Sequence, residues 1–139
     1  IEKMAVVDGG GTNHRYSLSD MAMIKDNHIV AAGSITNAVK TLKDKITKKV
    51  EVEVETREEF LEAQATEADV IMLDNMSNDD MLWCVKNNDK SKHKLEASGN
   101  MTVGRIKEVS SLGVDFISVG ALTHSPKALD ISLKFYDLN

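Results

Sequence analysis

Val50, Val52 and Val54 alternate with Glu51, Glu53 and Glu55. A period of two among β-branched residues predicts a strand with one apolar and one acidic face. On either side the spacing turns helical. Ile35, Ala38, Val39 and Leu42 recur behind Ser34 at the spacing of a helix that runs to about Asp44. Thr56 and Glu59 make a capping-box pair opening a helix to about Thr66. Asp69-Val70-Ile71-Met72-Leu73-Asp74 is a short apolar run bounded by acids, the form of a buried parallel strand. Asn78-Asp79-Asp80 opens a helix carrying Met81, Leu82, Trp83 and Val85, and Lys94 to Gly99 reads as a strand ending in a small-residue turn. Thr102 caps a helix with Val103, Ile106 and Val109, which Gly113 terminates, and Val114 to Gly120 is a further buried-type strand. Near the start, residues 1–8 are expected to be helical with Ile1, Met4, Ala5 and Val7 inward. Met21 to Ile24 then lead into Lys25 and a polar stop at Asp26-Asn27-His28.

Strands thus begin near residues 22, 50, 69, 94 and 115, with a helix between each successive pair. Strict alternation implies a parallel sheet with right-handed crossovers. The class is α/β, either much of a (β/α) barrel or an open doubly wound sheet. ADVIMLD and VDFISVG share one form, a small or apolar residue, then Asp, then an apolar run. No segment reads as a linker, so residues 1–139 are expected to be part of one domain, small for a complete barrel.

Composition narrows the class further. Apolar residues make up 42% and charged residues 28%, the balance of a soluble globular chain. Aromatics are only 4%, so Val, Ile, Leu, Met and Ala must build the core. The lone cysteine, Cys84, excludes an internal disulfide and suits a reducing, cytoplasmic setting. A net charge of -5 without a basic stripe speaks against a nucleic-acid surface. No apolar run approaches the roughly 20 residues of a membrane span, and IEKMAVVDGGG lacks the plan of a signal peptide.

In both candidate architectures, ligands bind where the strands finish. Lys25 and His28, Glu53, Asp74 and Asn75, Ser98-Gly99-Asn100 and Gly120-Ala121 are therefore expected to converge. Carboxylates beside cations suggest a divalent metal with an anionic substrate, and Mg²⁺ takes one or two carboxylates plus water and phosphate oxygens. Gly9, Gly10 and Gly11, followed by His14 and Arg15, read as an anion site, although the run fits neither the Walker nor the dinucleotide spacing. Blander readings stand beside these. Glu51 and Glu55 read as the solvated side of their strand, Glu53 as either that or a site residue, and Asp74 as either a site residue or a helix cap. His93 and His124 are expected to do no chemistry. Trp83, Cys84 and the methionines are expected to pack.

GGGTNHR followed by SLSDMAMIKDNHI resembles the start of the catalytic barrel in the quinolinate phosphoribosyltransferase family. KVEVEVETREEF, ADVIMLDNM, KLEASGN and GVDFISVGALTHSPKALDISLKF continue the resemblance in family order over nearly the whole chain. It implies transfer of a phosphoribosyl group from phosphoribosyl pyrophosphate to quinolinate with decarboxylation, giving nicotinate mononucleotide, pyrophosphate and CO2 with Mg²⁺. Carried over residue by residue, it implies that His14 and Arg15 hold the quinolinate carboxylates and that Lys25 lies by the pyrophosphate and the reacting ring. Glu53 and Asp74 would meet the ribose hydroxyls and the metal, with Lys25 as the third catalytic residue. Ser98, Gly99, Asn100, Gly120 and Ala121 would cradle the 5′-phosphate. The family also has an N-terminal domain and an Arg-Lys-Thr strand ahead of the helix that begins here at Ile1, neither of which is in this chain. The chain therefore reads as a C-terminal part, an incomplete barrel without its opening strand, from a homodimer or higher homo-oligomer with shared active sites. Two rival functions remain: a related transferase acting on another aromatic acid, and a truncated phosphate-binding module without turnover.

Overall fold

The computed structural model describes residues 2–14, 20–124 and 130–133. Five strands form one parallel sheet in chain order: β1 (Met21–Ile24), β2 (Lys49–Val54), β3 (Val70–Asp74), β4 (Lys94–Ser98) and β5 (Phe116–Ile117). α1 (Glu2–Asp8) precedes them and α7 (Ala121–His124) follows. The crossovers carry α2 (Asp26–Ala32) with α3 (Ile35–Lys43), then α4 (Arg57–Gln64), α5 (Asn78–Asn87) and α6 (Val103–Ser110). This order decides between the two architectures. A doubly wound sheet reverses its strand order at a switch point. Here each strand joins the edge left by the one before, as in a (β/α) barrel. Among the described residues β1 and β5 are the ends of the sheet, so it forms an arc of such a barrel.

The helices start where their sequences offer an acceptor for orphan backbone N–H groups. Ser34, Ser77 and Thr102 each accept from the backbone N–H three residues on. Thr56 accepts from the Glu59 N–H while the Glu59 carboxylate accepts from the Thr56 N–H, a complete capping box. Each such cap stabilises its helix by about 1 kcal/mol.

Period-two alternation sends the two faces of the sheet to different tasks. Val50, Val52, Val54, Ile71, Leu73, Leu95 and Ala97 are each no more than 1% exposed and belong to the hydrophobic core. Phe60 and Ala63 of α4, Met81 and Cys84 of α5 and Val109 of α6 share that core. Phe60 meets Trp83 edge-on with ring centroids 6.1 Å apart, and the Arg57 guanidinium stacks 5.1 Å from the Trp83 centroid, tying α4 to α5. With the helices on this side, Met23, Glu51, Glu53, Met72, Asp74, Glu96 and Ser98 fall on the other.

The two repeats share one task at the start of the sheet. Asp69 accepts from the Val50 N–H of β2 and from Lys43, at 2.8 and 2.6 Å. Asp115 accepts from the Leu95 N–H of β4 and from Lys94, both at 2.9 Å. In each case an aspartate just ahead of a strand satisfies a backbone donor of the strand before it. His93, wholly internal, sits between the carbonyls of Ala68 and Gln64 at 2.7 and 3.2 Å and belongs to the same end.

Four expectations change. α1 forms over Glu2–Asp8 but buries none of its residues, and Met4 and Val7 are exposed. Asp26-Asn27-His28 is the first turn of α2, with Lys25 at its N-cap, because the Lys25 N–H donates to His28 Nδ1. β5 is only two residues long, although the Ser118 N–H still reaches the Ala97 carbonyl at 2.9 Å. Glu51 is wholly buried, the reverse of a solvated face. Among the described residues no helix is long and apolar enough to cross a membrane.

Candidate active site

A cleft of about 680 Å³ opens at the carboxyl ends of the strands. β1 contributes Met23 and, one residue past its end, Lys25; β2 contributes Glu53; β3 contributes Met72 and Asp74. β4 contributes Ser98 and the turn Gly99 to Thr102, and the chain after β5 supplies Ser118, Gly120 and Ala121. His14 enters from the segment ahead of β1. Of the residues expected from sequence, Lys25, Glu53, Asp74, Ser98, Gly99, Asn100, Gly120 and Ala121 line this one cavity with His14, Asn75 does not, and Arg15 lies outside the described residues. His28 is not in the cleft; its ring is occupied in capping α2.

Charge is distributed unevenly round the cleft. Lys25 Nζ lies 3.2 Å from Glu53 Oε2. Asn75 donates to Asp74 Oδ2 at 2.7 Å, holding that carboxylate at the rim. Glu53, Glu55 and Asp74 each place an oxygen within 4.8 Å of the others, an all-oxygen set of the hard kind Mg²⁺ takes. Glu55, set aside in the sequence as solvated, is exposed yet joins these two acids.

The opposite wall is a rigid double turn. Asn75, Gly99 and Asn100 all adopt positive φ, at 52°, 88° and 48°. The Asn75 N–H donates to the Ser98 carbonyl, and Asn100 Nδ2 donates to Asn75 Oδ1, both at 3.1 Å. Arg105 reaches back to the Met76 carbonyl at 2.8 Å. A Cβ on Gly99 would stand 2.3 Å from Asn75 Oδ1 and 2.8 Å from the Asn75 nitrogen. Glycine here is a packing requirement as well as a conformational one.

Glu51, Glu96 and Ser118, which the strand-end argument missed, meet at His14 on the cleft wall. His14 Nε2 is 2.8 Å from Glu51 Oε2 and 3.6 Å from Glu96 Oε1, and Ser118 donates to Glu96. These atoms are close enough to suggest a metal site. The His14–Glu51 separation is instead that of a hydrogen bond, since two ligands of one ion about 2.1 Å away stand roughly 3 Å or more apart. The sequence did carry a signal. Glu51 and Glu96 each precede a named site residue, Glu53 and Ser98, by two positions, and Ser118 precedes Gly120 likewise; on a strand that spacing means the same face.

A singly wound parallel α/β domain with carboxylates, a lysine and glycine turns gathered at its strand ends belongs to the barrel class whose ligands bind at that end. Within that class the sequence is specific. The chain belongs to the family described as quinolinate phosphoribosyl transferase, C-terminal domain, whose model matches residues 1–134. It is 46% identical to the chloroplastic nicotinate-nucleotide pyrophosphorylase [carboxylating] of Arabidopsis thaliana, over 96% of this chain and 44% of that protein. It is 47% identical to a probable enzyme of the same name from Bacillus subtilis, over 96% and 46% respectively. Among solved structures it is similar to NadC from Streptococcus pyogenes, with a TM-score of 0.86 at 43% identity, covering 96% of this chain and 47% of that one. It is also similar to the nicotinate-nucleotide pyrophosphorylase of Francisella tularensis, with a TM-score of 0.85 at 46% identity, covering 92% and 46%. The chain thus spans a little under half the length of these relatives.

Proposed function

We propose that this chain forms the catalytic barrel portion of an enzyme that transfers a phosphoribosyl group from phosphoribosyl pyrophosphate to quinolinate, with decarboxylation to nicotinate mononucleotide. The observation that carries the reading is the single cleft that joins Lys25, Glu53 and Asp74 to the turns at Ser98–Asn100 and Gly120. Relatives named for this reaction support it.

The chemistry asks for charge and position. The quinolinate nitrogen bonds to the ribose anomeric carbon as the bond to pyrophosphate breaks. The 2-carboxylate then leaves as CO2, its electron pair stays on the ring carbon, and that carbon takes a proton from solvent. A sugar losing an anionic leaving group is electron-poor, so carboxylates near the ribose stabilise it without a covalent bond. Glu53 and Asp74, both on the cleft wall, take that role and meet the ribose hydroxyls. Lys25, balanced by Glu53, faces the anionic end of the leaving group. The Ser98–Asn100 turn, with Gly120 and Ala121, offers backbone N–H groups to the 5′-phosphate. His14, and Arg15 beside it in sequence, meet the quinolinate carboxylates. Glu53 and Asp74, with Glu55 adjacent, are the residues that would hold Mg²⁺. That ion, when bound, neutralises pyrophosphate charge.

The test is turnover in the protein at its full native length. Glu53→Gln and Asp74→Asn should each lower kcat for nicotinate mononucleotide formation by about 100-fold or more, the range for removing a group that acts in the transition state. Either variant keeping half of the wild-type kcat would remove its residue from the chemistry. A wild-type protein that uses another aromatic acid in place of quinolinate would move the reading to a sister transferase.

A further inference from the structure

The proposed reaction leaves the acids on the floor of the cleft without a task. The Glu51 and Glu96 side chains are 0% and 5% exposed, on β2 and β4, with β3 between them. Apolar side chains would fill that space at lower cost, because a buried carboxylate is stable only when its charge and lone pairs are met. Two buried anions side by side would be costlier still. Burial above all, together with the neighbouring Glu51, pushes the Glu96 carboxyl upward, while the Ser118 hydroxyl and His14 pull it down; the net shift is upward. Glu51 Oε1 is buried without a donor. A proton on Glu96 meets both needs: it halves the buried charge and supplies the donor that Glu51 Oε1 lacks. The remaining oxygen, Oε2, is aimed at His14 Nε2.

We propose that Glu51, braced by Glu96 and Ser118, is a positioning residue that takes the Nε2–H of His14, fixes the plane of that ring and, by its negative charge, favours the doubly protonated ring whose Nδ1–H donates to a ligand carboxylate. The carboxylate of a ligand in the cleft then meets a ring already oriented, so part of the cost of ordering that side chain is met before binding. The ligand's identity rests on the function proposed above, whereas the geometry beneath His14 does not.

The test combines nitrogen NMR of the His14 ring with a double-mutant cycle for quinolinate binding by calorimetry, in the protein at its full native length. In the wild type, Nε2 should carry a proton in the free protein, and both ring nitrogens should carry one once quinolinate is bound. Glu51→Gln, which keeps the size of the side chain, offers either an acceptor or a donor, so the ring should sample both tautomers. Quinolinate affinity should then fall roughly tenfold, the loss of one charge-oriented hydrogen bond. In a His14→Ala background, Glu51→Gln should have no further effect, which a merely structural role would not produce. Ser118→Ala, which removes the brace without touching His14, should shift the ring signals in the same direction. Unchanged ring signals in Glu51→Gln, or losses that simply add in the double variant, would overturn the proposal. If the wild type binds no quinolinate, the proposed reaction fails, and the ring spectra still decide the role of Glu51.

Discussion

Gly99→Ala is the most informative single substitution in the cleft wall. Two costs follow from the geometry. Alanine at φ +88° sits in a left-handed conformation that disfavours a Cβ by about 1–2 kcal/mol. The added carbon would also stand 2.3 Å from Asn75 Oδ1, displacing the side chain that accepts from Asn100 Nδ2. Losing that hydrogen bond costs about 1 kcal/mol. The Asn75 backbone nitrogen, 2.8 Å away, cannot swing aside as a side chain can, so the β3–α5 turn must move too. The total is about 2–3 kcal/mol, which for a chain of this size lowers the melting temperature by roughly 8–12 °C. Differential scanning calorimetry measures it. Phosphoribosyl pyrophosphate binding should weaken in the same variant, since the displaced turn carries the proposed phosphate donors. A melting temperature within 2 °C of wild type would refute the reasoning, because it would mean that the two turns are not locked together.

Two further outcomes come from groups outside the cleft. Burial pushes the Cys84 thiol up to about 12, Asp80 adds to this and Arg57 opposes it; the native protein should therefore resist a thiol reagent at pH 8 and react promptly once unfolded, and stoichiometric labelling of the native state within minutes would contradict the packing described. Burial pushes the Asp69 carboxyl up, but the Lys43 and Val50 hydrogen bonds outweigh it and hold it below its usual value. A lowered folded pKa gives stability that is present above the unfolded value of about 4 and lost as pH falls through the folded one. Asp69→Asn should thus lower stability by about 1 kcal/mol at pH 7, discounted for partial exposure, and flatten the decline in melting temperature towards pH 3. An unchanged acid slope would show that Asp69 is not one of the groups responsible.

The strand pairs and their caps were legible because they are local. A period of two, an acid-bounded apolar run, and Thr56 with Glu59 each state their structure within a few residues. The site was legible for a related reason: in a parallel sheet every strand delivers its last residues to one end, so reading the strand ends reads the cleft. Glu51 was not legible. Alternation says that Val50 and Glu51 face opposite ways, yet it does not say that the acidic face is closed over. That depends on β3 and β4 lying alongside and on His14 arriving from 37 residues upstream. The placement of His28 failed for another reason. Its ring caps α2 locally, and a polar triplet after a strand reads equally as a stop and as the opening turn of a helix. Arg15 lies outside the described residues.

The strictly sequential order of the strands carries a consequence for how the domain is made. Each β-pairing joins near neighbours in the chain: the widest runs from Met21 to Lys49, the narrowest from Glu51 to Val70. The entropy lost in closing such short loops is modest, and among the described residues no pairing waits for a distant segment. Once β1 and β2 have met, each later unit has a finished edge to dock on. Assembly can therefore follow synthesis, one strand and one helix at a time, as the chain leaves the ribosome. The cleft matures on the same schedule: Lys25 and Glu53 meet first, Asp74 joins them, and the turn at Ser98–Asn100 closes it last.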